Sequence, residues 1–453
     1  MLTILKLLIV PLMAIMIFCA VKLFKTFFKL NSTLGWFSGL VFFVCLPFSL
    51  VTLNGGVDLA GWSASWTTID LSDSKFVFSY FMIWILLIIS FLVIIVCLSA
   101  RKHHLMTNGC LKRVSTKYKK VILLLMGMML IDWIIRIWSH GGIVPLIISD
   151  WYSRGEMLYE EYGHLYVLYN HILTAVNFLF VVLSIYHVSQ TIHHRRIFFA
   201  TPLFFVIAIF LLLQMIVSGN RIFIASFGVA LFTLFIIKKS MRSITISILL
   251  IFLLVPFFGM WAVIRGNVTD WSERKEFYHE VVSRDNNQGK YFNIAMDAFE
   301  GVGVTLLFNV INDFGEREKY LYGQSYYRIF TFFLPRTIYP EKSSNITTVF
   351  AEIYEPGIDT SLVASVIGDM YANFSLFTLI ILPFTTFIVV LFDLRKSRKY
   401  STTEIDGILG FVLIFCATRF GISSMIIYAL FTIVLYKVSF ILVSLSFKHK
   451  HSI

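Results

Sequence analysis

Along most of this chain the apolar positions neither alternate with polar ones nor recur every third or fourth residue. They run on in blocks of nearly twenty, parted by short polar stretches. A helix that is apolar all round presents no face to water. About 20 such residues cross the hydrocarbon of a bilayer. The pattern predicts eleven spans, over 2–21, 36–53, 76–99, 120–138, 164–188, 197–217, 221–237, 243–264, 363–392, 404–420 and 422–446. The expected fold is therefore all-α, a polytopic membrane helix bundle of about eleven transmembrane helices. Residues 1–264 carry the first eight, and 363–453 carry the last three and a tail.

One stretch breaks the rhythm. Residues 265–362 are too polar to span and too long for a simple connection. A loop of that length is functional or disordered, and its aromatic content favours a folded one. It opens "RGNVTDWSERKEFYHEVVSRDNNQGK". Phe292, Ala295, Phe299, Val302, Leu306 and Val310 then fall at helical spacing, with Asp297 and Glu300 on other faces. That predicts an amphipathic helix lying along the membrane surface. "FLPRTIYPEKSSNITTVFAEIY" follows, in which Pro335 and Pro340 bracket Arg336. Helix breakers and a polar tract exclude a span there.

Charge orients the bundle. Lysines and arginines fill every second loop: Lys22, Lys25 and Lys29; Arg101 through Lys120; Arg195 and Arg196; Lys238, Lys239 and Arg242; Arg395 through Lys399; Lys448 and Lys450. By the positive-inside bias these loops are cytoplasmic. The N-terminus is then outside, the C-terminus is inside, and the long loop is extracytoplasmic. The opposite loops carry Asp58, Asp70, Asp73, Asp150, Glu156, Glu160 and Glu161. The net charge of +12 is thus mostly topology. Its basic residues are split among short loops facing anionic lipid, which argues against nucleic acid. Composition agrees: 58% of residues are hydrophobic and only 14% charged, against about 25% charged in soluble domains. Five cysteines show no CxxC or Cys/His metal spacing, so they read as small core residues. The first apolar run lacks a small-x-small cleavage site and is read as a retained helix.

The candidate chemistry lies at membrane depth and on the outer face. Asp132 and Arg136 are four apart on the fourth span, either a functional pair or one that neutralises itself inside the bundle. Arg221, in "VSGNRIF", sits at an outer turn beside free backbone N–H groups, an anion site in outline. Arg265 and Arg419 end spans on the same side, and Arg328 and Arg336 belong to the long loop. A lone arginine there would reach the headgroups. Five on one face, two of them at turns, suggest a phosphate site. Asp369, in "IGDMYANFS", either acts as a general base or holds an arginine in place. Glu352, in "VFAEIYEP", is the other carboxylate placed to act as base. His140, His164, His171 and His279 fall in no motif. No Asp-x-Asp occurs in the outer loops, and no P-loop, GxSxG or HExxH occurs anywhere, so neither a metal site nor a cofactor is predicted.

Three of these features together resemble the Wzy-type polymerases of oligosaccharide repeat units, the O-antigen polymerase family. The first is a small-Gly-x-Arg turn, here Ser218 to Arg221. The second is a Pro-Arg…Pro-x-Lys stretch in a long outer loop, here Pro335, Arg336, Pro340 and Lys342. The third is a Gly-acid-x-Tyr-x-Asn-Phe run, here Gly368, Asp369, Tyr371, Asn373 and Phe374. Ser343 stands where a proline often follows the lysine, and Ser375 where a glycine often follows the phenylalanine. The paired Arg…Gly segments that some such polymerases carry in two outer loops are absent.

The resemblance implies a metal-independent glycosyltransferase of a bacterial inner membrane, with its site facing the periplasm. It transfers a growing glycan from undecaprenyl diphosphate to the non-reducing end of a new lipid-linked repeat unit. The partners implied are this donor and acceptor, membrane lipids and a polysaccharide chain-length regulator. Arg221, Arg265, Arg328, Arg336, Arg419 and Lys342 would face the diphosphate, which leaves already anionic and needs positive charge more than a proton. Asp369 or Glu352 would take the acceptor proton. Tyr371, Asn373 and Tyr339 would contact sugar. Two rivals remain. An O-antigen ligase-type transferase shares architecture and donor but calls for a prominent outer histidine. A lipid-linked oligosaccharide flippase predicts internal repeats and charges through the midplane.

Overall fold

A computed structural model describes residues 1–26, 31–58, 67–100, 118–142, 164–193, 202–218, 222–237, 301–332, 334, 338–339, 342–356, 361–399 and 404–448. The predicted eighth span, 243–264, lies outside these residues, as does the polar opening of the long loop. The described chain is a helix bundle. Its long helices are α1 (Leu2–Thr26), α2 (Ser32–Leu40), α3 (Leu46–Asn54), α4 (Val77–Ser99), α5 (Tyr118–Ser139), α6 (His164–His193), α7 (Pro202–Ser218) and α8 (Ile222–Ile237). The second half holds α9 (Gly301–Asp313), α10 (Gln324–Thr331), α11 (Ile346–Tyr354), α12 (Ser365–Phe374), α13 (Thr378–Lys399), α14 (Glu404–Phe420) and α15 (Ile422–Lys448). A short antiparallel ladder pairs Gly56–Asp58 with Thr68–Asp70 between α3 and α4.

Among the described residues, seven helical stretches are long and apolar enough to cross a membrane. They coincide with predicted spans one to five, nine and eleven. α7 and α8 stand where spans six and seven are predicted, and α14 where the tenth is. Outward stripes recur at three and four residues: Ile4, Leu7 and Val10 on α1; Ile380, Phe384 and Phe392 on α13; Ile426, Leu430 and Ile433 on α15. These faces suit lipid.

α2 and α14 are the closest-packed pair. Gly35 and Gly39, spaced as GxxxG, turn toward α14. A Cβ at Gly35 would enter the Phe411 carbonyl, and one at Gly39 would enter the Thr418 hydroxyl. Small residues let backbones approach where no hydrophobic effect drives helices together. The N-terminus of α2 is capped twice. Asn31 Oδ1 accepts from Leu34 N–H at 2.9 Å, and Asp393 Oδ2 accepts from Thr33 N–H and Oγ1 at 2.6 and 2.7 Å. One π-turn, Val41–Cys45, joins α2 to α3. Pro47 explains it. Proline lacks an N–H and crowds the carbonyl four residues back, so the Leu46 N–H reaches Val41 instead.

The structure corrects two expectations. The helix predicted to lie along the membrane surface is instead inside the bundle over its described part. In α9, Val304, Leu306, Leu307, Phe308, Val310 and Ile311 are all buried, and the helix packs on α12, α4 and α3. Its spacing signalled one apolar face, but Leu307, Phe308 and Ile311 make the opposite side apolar too. The ninth span is also not one uninterrupted helix. α12 ends at Phe374, Ser375–Phe377 form a single 3-10 turn, and α13 follows. Ser375 holds φ at 54° and ψ at −138°, a region natural to glycine.

Candidate functional site

Three short helices, α10, α11 and α12, meet at the turn between α14 and α15. Gly421 makes that turn with φ at 82°, the left-handed residue that ends helices. Asp369 of α12 faces it. A Cβ at Gly421 would stand 2.5 Å from Asp369 Oδ2. The carboxylate is buried at 1% exposure. Its Oδ1 accepts from Ser325 Oγ of α10 at 3.2 Å and from Asn373 Nδ2 at 3.1 Å. Asn373 Nδ2 also reaches Ser325 Oγ at 2.9 Å and the Asp369 carbonyl at 2.7 Å. Oδ2 approaches the Ile422 N–H, at the positive end of α15, without closing a full hydrogen bond. The Tyr326 phenol lies beside the same carboxylate.

Asp369 is thus a tie. It fastens the loop helix α10 to α12 and to the start of α15. Among the described residues, the hydrogen-bond donors to this carboxylate are the neutral side chains of Ser325 and Asn373. α11 joins the same place, because Ser424 Oγ donates to Asn345 Oδ1 at 2.8 Å. Leu321 N–H donates to the Ala372 carbonyl at 2.8 Å, and Tyr371 lies 6.2 Å from the Tyr320 ring, buried at 3% exposure.

The predicted basic residues divide. Arg221, Arg265 and Arg336 lie outside the described residues. Arg328, on α10, is half-buried, and its charge reaches His171 of α6 and Tyr428 of α15. Lys342 acts on the same histidine. Its Nζ donates to the Phe332 and Leu334 carbonyls at 2.6 and 3.0 Å and lies 5.4 Å from the Phe332 ring. That ammonium therefore closes the carbonyl end of α10. Arg419 stacks on Phe420 at 4.5 Å. It borders a space for about one water, lined also by Phe43, Gly303, Val363 and Ser365. Glu352 is exposed on α11, and Tyr339 is half-buried, its carbonyl accepting from Lys342 N–H.

His171 is more than a surface residue. Its ring lies 4.8 Å from Phe332, 5.3 Å from Tyr428 and 5.8 Å from Phe431. Both ring nitrogens are buried without a hydrogen-bond partner. It faces two cations and an aromatic wall. The Asp132–Arg136 pair, by contrast, neutralises itself. Arg136 Nε meets the carboxylate at 2.9 and 3.1 Å, and Tyr169 donates to Asp132 at 2.7 Å. Ser325, Gly421 and Asn345 went unread in the sequence. Only Gly421 had a signal, as a lone glycine between two apolar runs. Comparison with family models, with curated proteins and with solved structures finds no match.

Proposed function

We propose that this chain is a polymerase of lipid-linked oligosaccharide repeat units, working at the outer face of a bacterial inner membrane. The proposal includes eleven spans, an outside N-terminus and a cytoplasmic C-terminus. Supporting it are the outer-loop motifs and one observation above all. Arg328 and Lys342 are held together against the flank of α15, beside the aromatic wall of His171, Tyr428, Phe332 and Phe431.

In this reading the acceptor hydroxyl loses its proton to a carboxylate and attacks the anomeric carbon of the donor. The bond from that carbon to the diphosphate oxygen breaks, and the lipid diphosphate leaves with the electron pair. Guanidinium and ammonium groups stabilise the charge that collects on it. Glu352, exposed, is the better base; Asp369, buried and tied to Ser325, positions α10 and with it Arg328. The aromatic wall suits a sugar face or a polyprenyl tail. Arg221, Arg265, Arg336 and Arg419 complete the basic set, Tyr371, Asn373 and Tyr339 its sugar side, and a chain-length regulator is the expected partner.

A ligase-type transferase gains one observation, the histidine beside two cations. Polysaccharide banding separates the two. Cells lacking the gene are complemented with wild type, Arg328→Ala or Arg336→Ala at matched membrane levels. The polymerase reading expects a ladder from wild type and a single repeat on the core lipid from the deletion and both variants. If the deletion leaves no repeat on the core, the ligase or flippase reading replaces it.

A further inference from the structure

We propose that α10, with Phe332 and Leu334 beyond its end, is a re-entrant element, sunk into the bilayer beside α15 with its outer side against lipid. The long loop that holds it is expected to be extracytoplasmic. Its contacts place it deeper. At one end Ser325 meets Asp369, which faces Gly421 and the start of α15. At the other, the Phe332 ring lies 6.1 Å from Phe431, nine residues beyond Ile422. At 1.5 Å per residue that is about 13 Å along the α15 axis. A second helix points the same way, less far in. His171, 4.8 Å from Phe332, lies three residues past Leu168, where the apolar span of α6 begins, or about 4 Å. The apolar span of α15 begins at Ile422, so on both helices the far end of α10 lies inside the apolar span and not above it.

Two further observations fit lipid. Tyr327, Phe330 and Leu334 share one face and are exposed, Phe330 at 79%. The inner side buries Ser325 and Thr331 and presses Phe332 on His171. Non-helical backbone at membrane depth must have its polar groups satisfied within the protein. The Phe332 and Leu334 carbonyls are met by Lys342 Nζ, and the Leu334 N–H by the Thr331 carbonyl at 3.0 Å. Lys342 thus serves the re-entrant turn itself.

The test reads position and not activity, so it stands whatever reaction the protein performs. Full-length protein with Cys97→Ser and Cys110→Ser carries a spin label at Phe330→Cys and is reconstituted in phosphatidylcholine vesicles. Relaxation by oxygen, which partitions into lipid, is compared with relaxation by a water-soluble nickel chelate. Labels at Leu430→Cys and Arg317→Cys give the lipid and water references; Arg317 is 81% exposed on a polar turn. The Phe330 label is expected to match Leu430, with oxygen several-fold more effective than the chelate. If it matches Arg317, the element lies in water and the proposal is overturned. Tyr327→Cys, on the same face, repeats the measurement should Phe330→Cys fail to fold.

Discussion

At the scale of single residues, two backbone positions carry the sharpest consequences. Gly421 combines a left-handed φ of 82° with a Cβ direction blocked by the Asp369 carboxylate. Alanine there must move a buried carboxylate or distort the α14–α15 turn. We expect Gly421→Ala to cost about 1–3 kcal/mol, read as a lowered thermal midpoint in detergent. An unchanged midpoint would show that the Asp369 tie is slack. Ser375 is the converse. It occupies a conformation suited to glycine, at a place where related-looking motifs often carry glycine. Relief of about 1–3 kcal/mol of strain exceeds the roughly 0.5–1 kcal/mol that glycine adds in chain entropy. Ser375→Gly should raise the midpoint, and a fall would mean that the break between α12 and α13 is not strained. Neither effect was legible in the residue letters. The sequence marked Asp369 by its cost at membrane depth, but not its partners. Ser325 lies 44 residues away, and a lone serine in a loop has no periodicity to betray it.

Among elements, what was readable is what repeats. Long apolar blocks fixed where α1, α4, α5, α6 and α15 run, because nearly every position in them agrees. α9 was misplaced because six well-spaced positions were taken to describe a helix whose other side is apolar as well. The ninth span was broken by a single turn that no proline announces. α10 was not foreseen, since its apolar side faces outward and its inner side is held by polar ties. Lys342 joins those ties. Lys342→Met keeps the stem but leaves the Phe332 and Leu334 carbonyls without their ammonium donor. The Phe332 carbonyl is part-buried, and a carbonyl left unsatisfied away from water costs about 1–3 kcal/mol. We expect faster cleavage of the Gln324–Leu334 region by added protease in Lys342→Met than in wild type. Equal rates would show that the ammonium is not what holds the end of α10.

For the whole molecule, the buried charges decide how the two halves of the bundle are held. Asp393, on α13, caps α2 across 360 residues of chain. Asp132 and Arg136 lie on one helix, with Tyr169 and Asn170 of α6 as outside partners. The first joins distant parts of the sequence; the second mostly neutralises itself. Removing one member of a buried pair strands the other charge, at about 3–5 kcal/mol, whereas replacing both with apolar residues is often neutral. Asp132→Leu alone should therefore depress folding strongly, while Asp132→Leu with Arg136→Met should recover most of the loss. Thermal unfolding of the purified proteins measures both, and the polysaccharide ladder measures function in the same strains. Recovery of stability and of the ladder together would leave the pair a structural filler in the fourth span. Recovery of stability without the ladder would give the pair a part in the reaction, and would move the functional centre from the α14–α15 turn toward α5.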